Sequence, residues 1–245
     1  MRPCLFLGLG LLLIQGCGAP DGPPKPSKPP LSLLFIGNSL TFVNDLPGAL
    51  KAIAAAEGRV IRVQSRAVGG WTLALHDADP QTNALILRGG WDYVVLQEQS
   101  RLSVDNYPGF AAAAASLDAK IRAAGARTLL YQNWPCQSQP QRFQDYHDAF
   151  GNVAAQLNAG WVRAGDAWGL VHQDQPGTWA QLYGDDVHPS AKGSYLTACV
   201  FYDVLYGDSP AQADPVLGQS AADSAYLQAK AWAVAGPAPT PVPAP

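Results

Sequence analysis

Short apolar runs that end in polar residues recur along the chain and predict the strands of a sheet. The first run covers residues 31–36 and leads directly into Gly37-Asn38-Ser39. An apolar run of this length, bounded by Gly and Asn, is typical of a buried strand. Further strands are predicted at residues 60–68, 91–96, 127–132 and 161–164.

Alanine-rich segments with helical character separate these runs. They predict helices at residues 44–57, 72–90, 107–124, 141–158, 192–206 and 220–234, with Pro80 interrupting the second. Asn44 or Asp45 can cap the first helix, and Pro47 then lies in its first turn. Five strands alternating with helices predict an α/β fold, in which a parallel five-stranded sheet is covered on both faces in three α/β/α layers.

The two ends of the chain differ in composition from the part that carries these elements. Met1-Arg2 precedes an apolar run at residues 5–14 that is too short to span a bilayer, which is the pattern of a signal peptide. The Pro-rich residues 18–30 predict an extended linker, and the Pro-Ala residues 236–245 predict a disordered tail. We therefore expect residues 31–235 to form one domain.

Residues 14–17, Ile-Gln-Gly-Cys, resemble the lipobox of bacterial lipoproteins. The resemblance implies that residues 1–17 contain the signal, that Cys17 is lipidated, and that Gly18 in place of Asp directs the protein to the outer membrane. Ordinary secretory cleavage near Ala19 is the alternative, which would give a periplasmic or secreted protein. Both interpretations predict export, with the lipid anchor as the expected attachment to a membrane.

Charge and length narrow the class of protein further. The net charge of −3, with 16 Lys+Arg, argues against nucleic-acid binding. The mature part of the chain suffices for one domain of about two hundred residues, and we expect it to be a monomer. Cys136 and Cys199 would form either a disulfide, which an oxidising compartment permits, or two buried free thiols.

Three polar turns follow predicted strands at their carboxyl ends, where open α/β sheets place their sites. They are Gly37-Asn38-Ser39, Gly69-Gly70-Trp71-Thr72 and Gln97-Glu98-Gln99-Ser100. The serine of the first turn, taken alone, is more typical of a helix cap. The turns together predict a site at this edge of the sheet.

Asp185 and His188 supply the groups that a nucleophilic serine needs. A serine hydroxyl is a weak nucleophile, so it requires a base within hydrogen-bond reach and a third group that orients the base. Asp185 lies three residues before His188 and just ahead of a predicted helix, so its carboxylate can fold back onto the imidazole. Acyl transfer also needs donors aimed at the oxyanion, for which the Ser39 N–H, the Gly70 N–H and the Gln99 amide are candidates.

These motifs resemble the sequence blocks of the SGNH, or GDSL-type, hydrolases over roughly residues 31–207. Residues 37–40 match the first block, with Asn38 where Asp is commoner, while residues 68–72 match the second and residues 185–189 the last. The resemblance implies a flavodoxin-like sheet, a catalytic triad of Ser39, His188 and Asp185, and an oxyanion hole formed by Ser39, Gly70 and Gln99.

The activity implied by the resemblance is that of a serine esterase acting on a carboxylic ester through an acyl-enzyme, without a cofactor or a metal. The cell-envelope setting favours an acetyl or short acyl ester on a carbohydrate. The third block departs from the family's Gly-x-Asn-Asp, because this chain has Gln97-Glu98-Gln99-Ser100. Gln99 carries the same amide on a longer side chain, and Asn133, after the fourth strand, is the alternative donor.

Several other side chains near these motifs are candidates for contact with a substrate. They are Asn38, Trp71, Glu98, Asn133 and Trp134. His76, His147 and His172 are expected to be surface or structural residues, since no spacing of His and Cys fits a metal site.

Two other functions remain open from the sequence. The domain could be a non-catalytic carbohydrate-binding or envelope-interaction lipoprotein that kept the fold, which the altered third block favours. An acyltransferase would use the same triad. An α/β-hydrolase is disfavoured because Thr41 occupies the place of the second glycine of a Gly-x-Ser-x-Gly motif.

Overall fold

The computed structural model describes residues 30–210 and 216–235. Its strands are β1 (Leu31–Gly37), β2 (Ile61–Ala67), β3 (Tyr93–Leu96), β4 (Arg127–Tyr131) and β5 (Gly160–Val162). Its α-helices are α1 (Ser39–Phe42), α2 (Leu46–Ala56), α3 (Leu73–Ala78), α4 (Pro80–Leu87), α5 (Leu102–Asp105), α6 (Tyr107–Ala123), α7 (Phe143–Leu157), α8 (Ala164–Asp174), α9 (Pro176–Ala180), α10 (Ala191–Tyr206) and α11 (Ala221–Ala235). The predicted signal peptide, the lipidated Cys17, almost all of the linker and the tail lie outside the described residues.

The five strands form one parallel sheet, as the sequence predicts, and their order in the sheet is β2-β1-β3-β4-β5. Near the end of β1, Ile36 pairs with Arg66 of β2 on one side and with Leu96 of β3 on the other. The strand order reverses direction between β1 and β3, which makes the carboxyl end of β1 the topological switch point of a flavodoxin-like sheet. All three predicted polar turns therefore leave adjacent strands at the place where such folds bind ligands.

Helices cover both faces of the sheet. On one face, Leu33 and Phe35 pack towards α2, α8, α10 and α11. On the other face, Leu34 and Ile36 pack towards α3, α4, α6 and α7. All four side chains are fully buried, which explains why β1 is an unbroken apolar run rather than an alternating one. The three-layer α/β/α prediction is confirmed.

Helix α8 lies between residues 164 and 192, where the sequence patterns predict no helix. The helix was not predicted because Gly165 and Gly169 lower the helix propensity of this segment. A Cβ atom at Gly165 would collide with the Asn133 carbonyl oxygen, and one at Gly169 would come within 3.3 Å of the Phe143 ring. Close packing therefore requires the glycine at position 165 and disfavours a larger residue at position 169, which outweighs their poor propensity.

Cys136 and Cys199 are both buried and free, so the alternative of two thiols is the one observed. No helix within the described ranges has the length and apolar character needed to cross a bilayer.

Candidate active site

Ser39 is the first residue of α1 and lies directly after the central strand β1. The Asn38 side-chain oxygen accepts the Leu40 N–H at 3.1 Å and caps this one-turn helix. N–H groups in the first turn of a helix have no partner within the helix. The Ser39 N–H is therefore available beside its own hydroxyl, at the carboxyl edge of the sheet.

His188 lies between the serine and an aspartate. Its Nε2 is 2.9 Å from Ser39 Oγ, and its Nδ1 is 2.8 Å from Asp185 Oδ2. An ionised carboxylate only accepts hydrogen bonds, so Nδ1 carries the proton and the Nε2 lone pair faces the serine hydroxyl. This is the arrangement that a general base for Ser39 requires.

Hydrogen bonds, rather than burial, fix the charge of Asp185. Its Oδ1 accepts the main-chain N–H of His188 at 2.6 Å and that of Val187 at 2.7 Å. The His188 N–H is the largest cause of a pKa lowered to about 2, followed by the Val187 N–H and the imidazole. More than half of the aspartate side chain is exposed. Asp185 is therefore ionised at neutral and mildly acidic pH.

Asn44 joins the serine segment to the histidine segment. Its Nδ2 donates to the Pro189 carbonyl at 2.9 Å and contacts Ser194 Oγ at 3.0 Å. Asn44 has φ of 56°, in the left-handed region that Asn tolerates better than most residues. The sequence prediction offered Asn44 or Asp45 as the helix cap. Asp45 caps α2 by accepting the Gly48 N–H, which leaves the Asn44 amide for the histidine loop.

A cavity of about 320 Å³ opens in front of Ser39. It is lined by Asn38, Ser39, Gly70, Gln99, Ser100, Val187 and His188. Gly70 has φ of +73°, a conformation that favours glycine, and it lies in the loop between β2 and α3. Gln99 Oε1 accepts the Arg101 N–H at 3.0 Å, which leaves the Nε2 end of the amide for another acceptor. The three predicted oxyanion donors thus border the same space as His188.

Gln97 was missed as a functional residue by the sequence analysis, although it lies in the third polar turn. It is fully buried, and its Oε1 accepts the Asn38 N–H at 2.9 Å and the Thr41 hydroxyl at 3.0 Å. An amide buried at the end of an apolar strand is the signal that would have indicated this role. Gln97 holds the Ser39 turn against the end of β3.

Three of the predicted substrate contacts are corrected by the structure. Glu98 is 2% exposed, and its carboxylate is bonded to main-chain N–H groups. Asn133 is fully buried and donates to the Ser100 carbonyl at 2.7 Å, so its amide nitrogen is not a spare oxyanion donor. Trp134 stacks on Trp168 with 3.7 Å between ring centroids and donates to the Val187 carbonyl. These side chains support the site from beneath and do not line the cavity.

Asn38 and Trp71 are the two remaining side chains that were predicted to contact a substrate. Asn38 borders the cavity, but its Nδ2 donates to the Trp71 carbonyl at 2.9 Å while its oxygen caps α1. Trp71 is only partly buried and packs on His76 and Arg66 instead of lining the cavity. Both residues therefore act on the loop geometry in this structure.

His188 is the histidine that is hydrogen-bonded to Ser39, and the others have different partners. His76 is fully buried, and its Nε2–H donates to the Gly37 carbonyl at 2.8 Å, so it has the structural role that was one of the two expectations. Burial lowers its pKa. His147 pairs with Asp166 at 2.9 Å beside a second cavity of about 350 Å³, whose lining includes no Ser, Thr or Cys. Within the described ranges, no group of three His, Cys, Asp or Glu side chains is placed to hold a metal ion.

Comparison with known proteins finds no matching family model and no matching curated protein. Solved structures do match. A DUF4886 family protein from Bacteroides uniformis has a TM-score of 0.70 at 17% identity, with 83% of this chain and 93% of that chain covered. A protein from Slackia heliotrinireducens that is proposed to be an SGNH hydrolase has a TM-score of 0.59 at 30% identity, covering 71% and 98%. An acetyl xylan esterase from Geobacillus stearothermophilus has a TM-score of 0.51 at 22% identity, covering 70% and 92%.

The fold is that of the SGNH hydrolases, as the sequence motifs predict. With 30% identity over 98% of the Slackia protein, the chain belongs to the SGNH hydrolase family. Esterases and lipases are also among the solved structures that share this fold.

Proposed function

We propose that this protein is a serine esterase that hydrolyses a carboxylic ester through an acyl-enzyme. The observation that carries the proposal is the unbroken hydrogen-bond line from Asp185 through His188 to Ser39, at 2.8 Å and 2.9 Å. The line ends at a cavity whose wall includes Gly70 and Gln99. This geometry supports Ser39 as the nucleophile, His188 as its base, Asp185 as the orienting carboxylate, and donors for an oxyanion in the cavity wall.

In the first half of the reaction, Ser39 Oγ attacks the ester carbonyl carbon while His188 Nε2 takes the hydroxyl proton. The carbonyl oxygen becomes an oxyanion that accepts hydrogen bonds from the N–H groups of Ser39 and Gly70 and from the Gln99 amide. The bond from carbon to the leaving oxygen then breaks, and Nε2 returns the proton to that oxygen. The alcohol departs and the acyl group stays on Ser39.

In the second half, water takes the place of the alcohol. His188 Nε2 accepts a proton from the water, whose oxygen attacks the acyl carbon. The bond to Ser39 Oγ breaks, and Nε2 gives the proton to the serine. The acid leaves and the free enzyme is restored, while Asp185 stabilises the imidazolium in both halves.

We propose that the acyl group is short, such as acetyl. The cavity of about 320 Å³ lies at the small end of the range of about 300–1,000 Å³ found for ligand pockets. The alcohol part can extend towards solvent beside Gly70, which lines the cavity and is exposed. An ester on a carbohydrate fits this shape, and the acetyl xylan esterase among the structural neighbours acts on such a substrate.

We further propose that the protein is exported and attached to the outer membrane through a lipid on Cys17. The support is the signal-peptide pattern and the residues before Cys17. The variant Cys17→Ser should move the protein from the membrane fraction to the soluble or secreted fraction. An unchanged distribution would contradict the anchor.

The enzymatic proposal is tested with p-nitrophenyl acetate and with a fluorophosphonate that labels activated serines. The wild type should turn over the ester and should be labelled, while Ser39→Ala and His188→Gln should lose both properties. His147→Gln is the matched control, because His147 also pairs with an aspartate but borders a cavity without a nucleophile. Equal rates for wild type and Ser39→Ala would exclude the serine mechanism.

A further inference from the structure

Hydrogen bonds connect the three loops of the candidate site to one another in a closed triangle. The Asn38 amide joins the Ser39 loop to the Gly70 loop through the Trp71 carbonyl. The Gln97 amide joins the end of β3 to the Ser39 loop. The remaining side of the triangle is formed by Glu98, which connects the Gly70 loop to Gln99.

The Glu98 carboxylate accepts hydrogen bonds from both of these loops. The Leu73 N–H lies 3.3 Å from Oε1 and 3.4 Å from Oε2, and the Gln99 N–H lies 2.6 Å from Oε1. Leu73 is the first residue of α3 and follows Gly70 by three positions. One side chain therefore ties the loop that carries one oxyanion donor to the main chain of the residue that carries another.

A carboxylate at this position is costly, because Glu98 is 2% exposed and has no cationic hydrogen-bond partner among the described residues. Burial is the largest effect on its pKa, which is raised to about 7, although the Gln99 and Leu73 N–H groups act in the opposite direction. A costly buried group that only contacts main-chain donors indicates a requirement for its geometry. Charge-assisted hydrogen bonds are about twice as strong as neutral ones and hold such a geometry better.

We propose that Glu98 is a positioning residue for the oxyanion hole, which fixes the distance between the Gly70 N–H and the Gln99 side-chain amide. The inference rests on the esterase function proposed above. Glu98 does not touch the substrate, since it is buried behind the cavity wall. It acts through the two donors, whose separation must match the position of the oxyanion.

The test is Glu98→Gln, which keeps the shape of the side chain but replaces one acceptor oxygen with an NH₂ group. The amide oxygen can take the place of Oε1, which accepts both N–H groups, but the NH₂ group then replaces Oε2 beside the Leu73 N–H, 3.4 Å away. The loss of negative charge and this donor-to-donor contact weaken the connection between the two loops. Misplacement by about 1 Å can cost about 10²-fold in rate, and we expect a fall of that size in kcat for p-nitrophenyl acetate with little change in KM. Labelling of Ser39 by the fluorophosphonate should slow by a similar factor, because it develops charge in the same place.

Glu57→Gln is the matched control. Glu57 is the only other glutamate of the chain and lies at the end of α2, at the opposite edge of the sheet from Ser39. Glu98→Asp is the second variant, which keeps the charge on a shorter side chain and should also lose activity. Thermal unfolding and circular dichroism of each variant separate a loss of rate from a loss of fold.

A double-mutant cycle with Gln99→Ala distinguishes positioning from a general structural role. If Glu98 acts through the Gln99 amide, the loss in Glu98→Gln/Gln99→Ala will be much smaller than the product of the two single losses. Multiplicative losses, full activity in Glu98→Gln, or full activity in Glu98→Asp would each overturn the inference. A wild type that neither turns over ester nor reacts with the fluorophosphonate would overturn the esterase proposal and this inference together.

Discussion

Ser39 Oγ and His188 Nε2 lie 2.9 Å apart although 149 positions separate the two residues in the chain. The fold brings them together because β1 ends in the middle of the sheet and the segment before α10 crosses the same edge. The Asn44 amide fastens the two segments by donating to the Pro189 carbonyl. The Trp134 indole supports the histidine loop from below through the Val187 carbonyl.

The first prediction concerns Asp185. In Asp185→Asn, the Nδ1–H of His188 no longer donates to a negatively charged carboxylate. The tautomer with the proton on Nε2 then becomes accessible. Losing this carboxylate in a Ser-His-Asp site costs about 10⁴ in kcat, and we expect a loss of this order, measured with p-nitrophenyl acetate. Because the pKa of Asp185 is about 2, the wild type should not lose activity through this group at any pH above about 4.

Asp186→Asn is the control for this prediction. Asp186 is the neighbouring residue, but its carboxylate bonds to the Ser138 N–H and hydroxyl rather than to the imidazole. We expect it to retain most of the activity. An Asp185→Asn variant as active as Asp186→Asn would contradict the orienting role.

The second prediction concerns the oxyanion donor of the altered third block. Gln99→Ala removes the side-chain amide from the cavity wall without touching the nucleophile or its base. Removing one such donor costs about 10²–10³ in kcat, and we expect a loss in this range with KM little changed. Ser138→Ala is the control, because it removes one exposed side-chain donor, the hydroxyl that bonds to Asp186, and Ser138 does not line the cavity. An unchanged kcat in Gln99→Ala would show that only main-chain N–H groups act as donors in the oxyanion hole.

Much of the fold follows from local patterns in the sequence. The apolar run before Gly37 predicts β1 because both of its faces are buried, and the same reasoning applies to β3 and β4. Helix α8 was not predicted because the glycine at position 165 is needed for close packing against Asn133, which is distant in sequence. A local propensity carries no information about such a contact.

The proximity of Ser39, His188 and Asp185 could be predicted because spacing and strand-end position place these residues at one edge of the sheet. The residues that hold them could not be predicted, because their roles depend on which loops face each other. Gln97 bonds to Asn38 across 59 positions, and this contact exists only because β3 pairs with β1. The expectation that Trp134 contacts substrate was wrong for a related reason, since β4 lies beyond β3 and the residues after it pass beneath the Ser100 turn.

The third prediction concerns Asn44. Asn44→Gly keeps a residue that readily adopts φ of 56° but removes the hydrogen bonds to Pro189 and Ser194. Each of the two hydrogen bonds contributes about 0.5–1.5 kcal/mol and the relief of left-handed strain offsets part of this, so the free energy of unfolding should fall by no more than about 2 kcal/mol. The rate should fall by about tenfold or more, because the serine and histidine segments are then less firmly held.

Steady-state kinetics and urea unfolding of the same preparation check this prediction. Asn158→Gly is a suitable control, since Asn158 also has a left-handed conformation, with φ of 46°, but lies at the end of α7. An Asn44→Gly variant with wild-type kcat would show that the hydrogen bonds of the Asn44 amide to Pro189 and Ser194 are not needed for activity.

The fourth prediction concerns stability and pH. The pKa of Glu98 is raised by burial from its ordinary value of 4.5 to about 7 in the folded protein, so between these values the folded state binds a proton that the unfolded state has lost. The stabilising contribution of this proton is complete below pH 4.5 and is lost as the pH rises through about 7.

Glu98→Gln lacks this titrating group. As the pH rises from 5 to 8, the free energy of unfolding of the wild type should therefore fall relative to that of Glu98→Gln, by on the order of 3 kcal/mol. Urea unfolding of both proteins across this range measures the difference, and parallel curves would contradict the raised pKa. Between pH 5 and pH 8, Glu98→Gln should thus gain stability relative to the wild type, and its kcat should be lower. This combination is expected of a charged group whose burial costs stability but holds the geometry of a site.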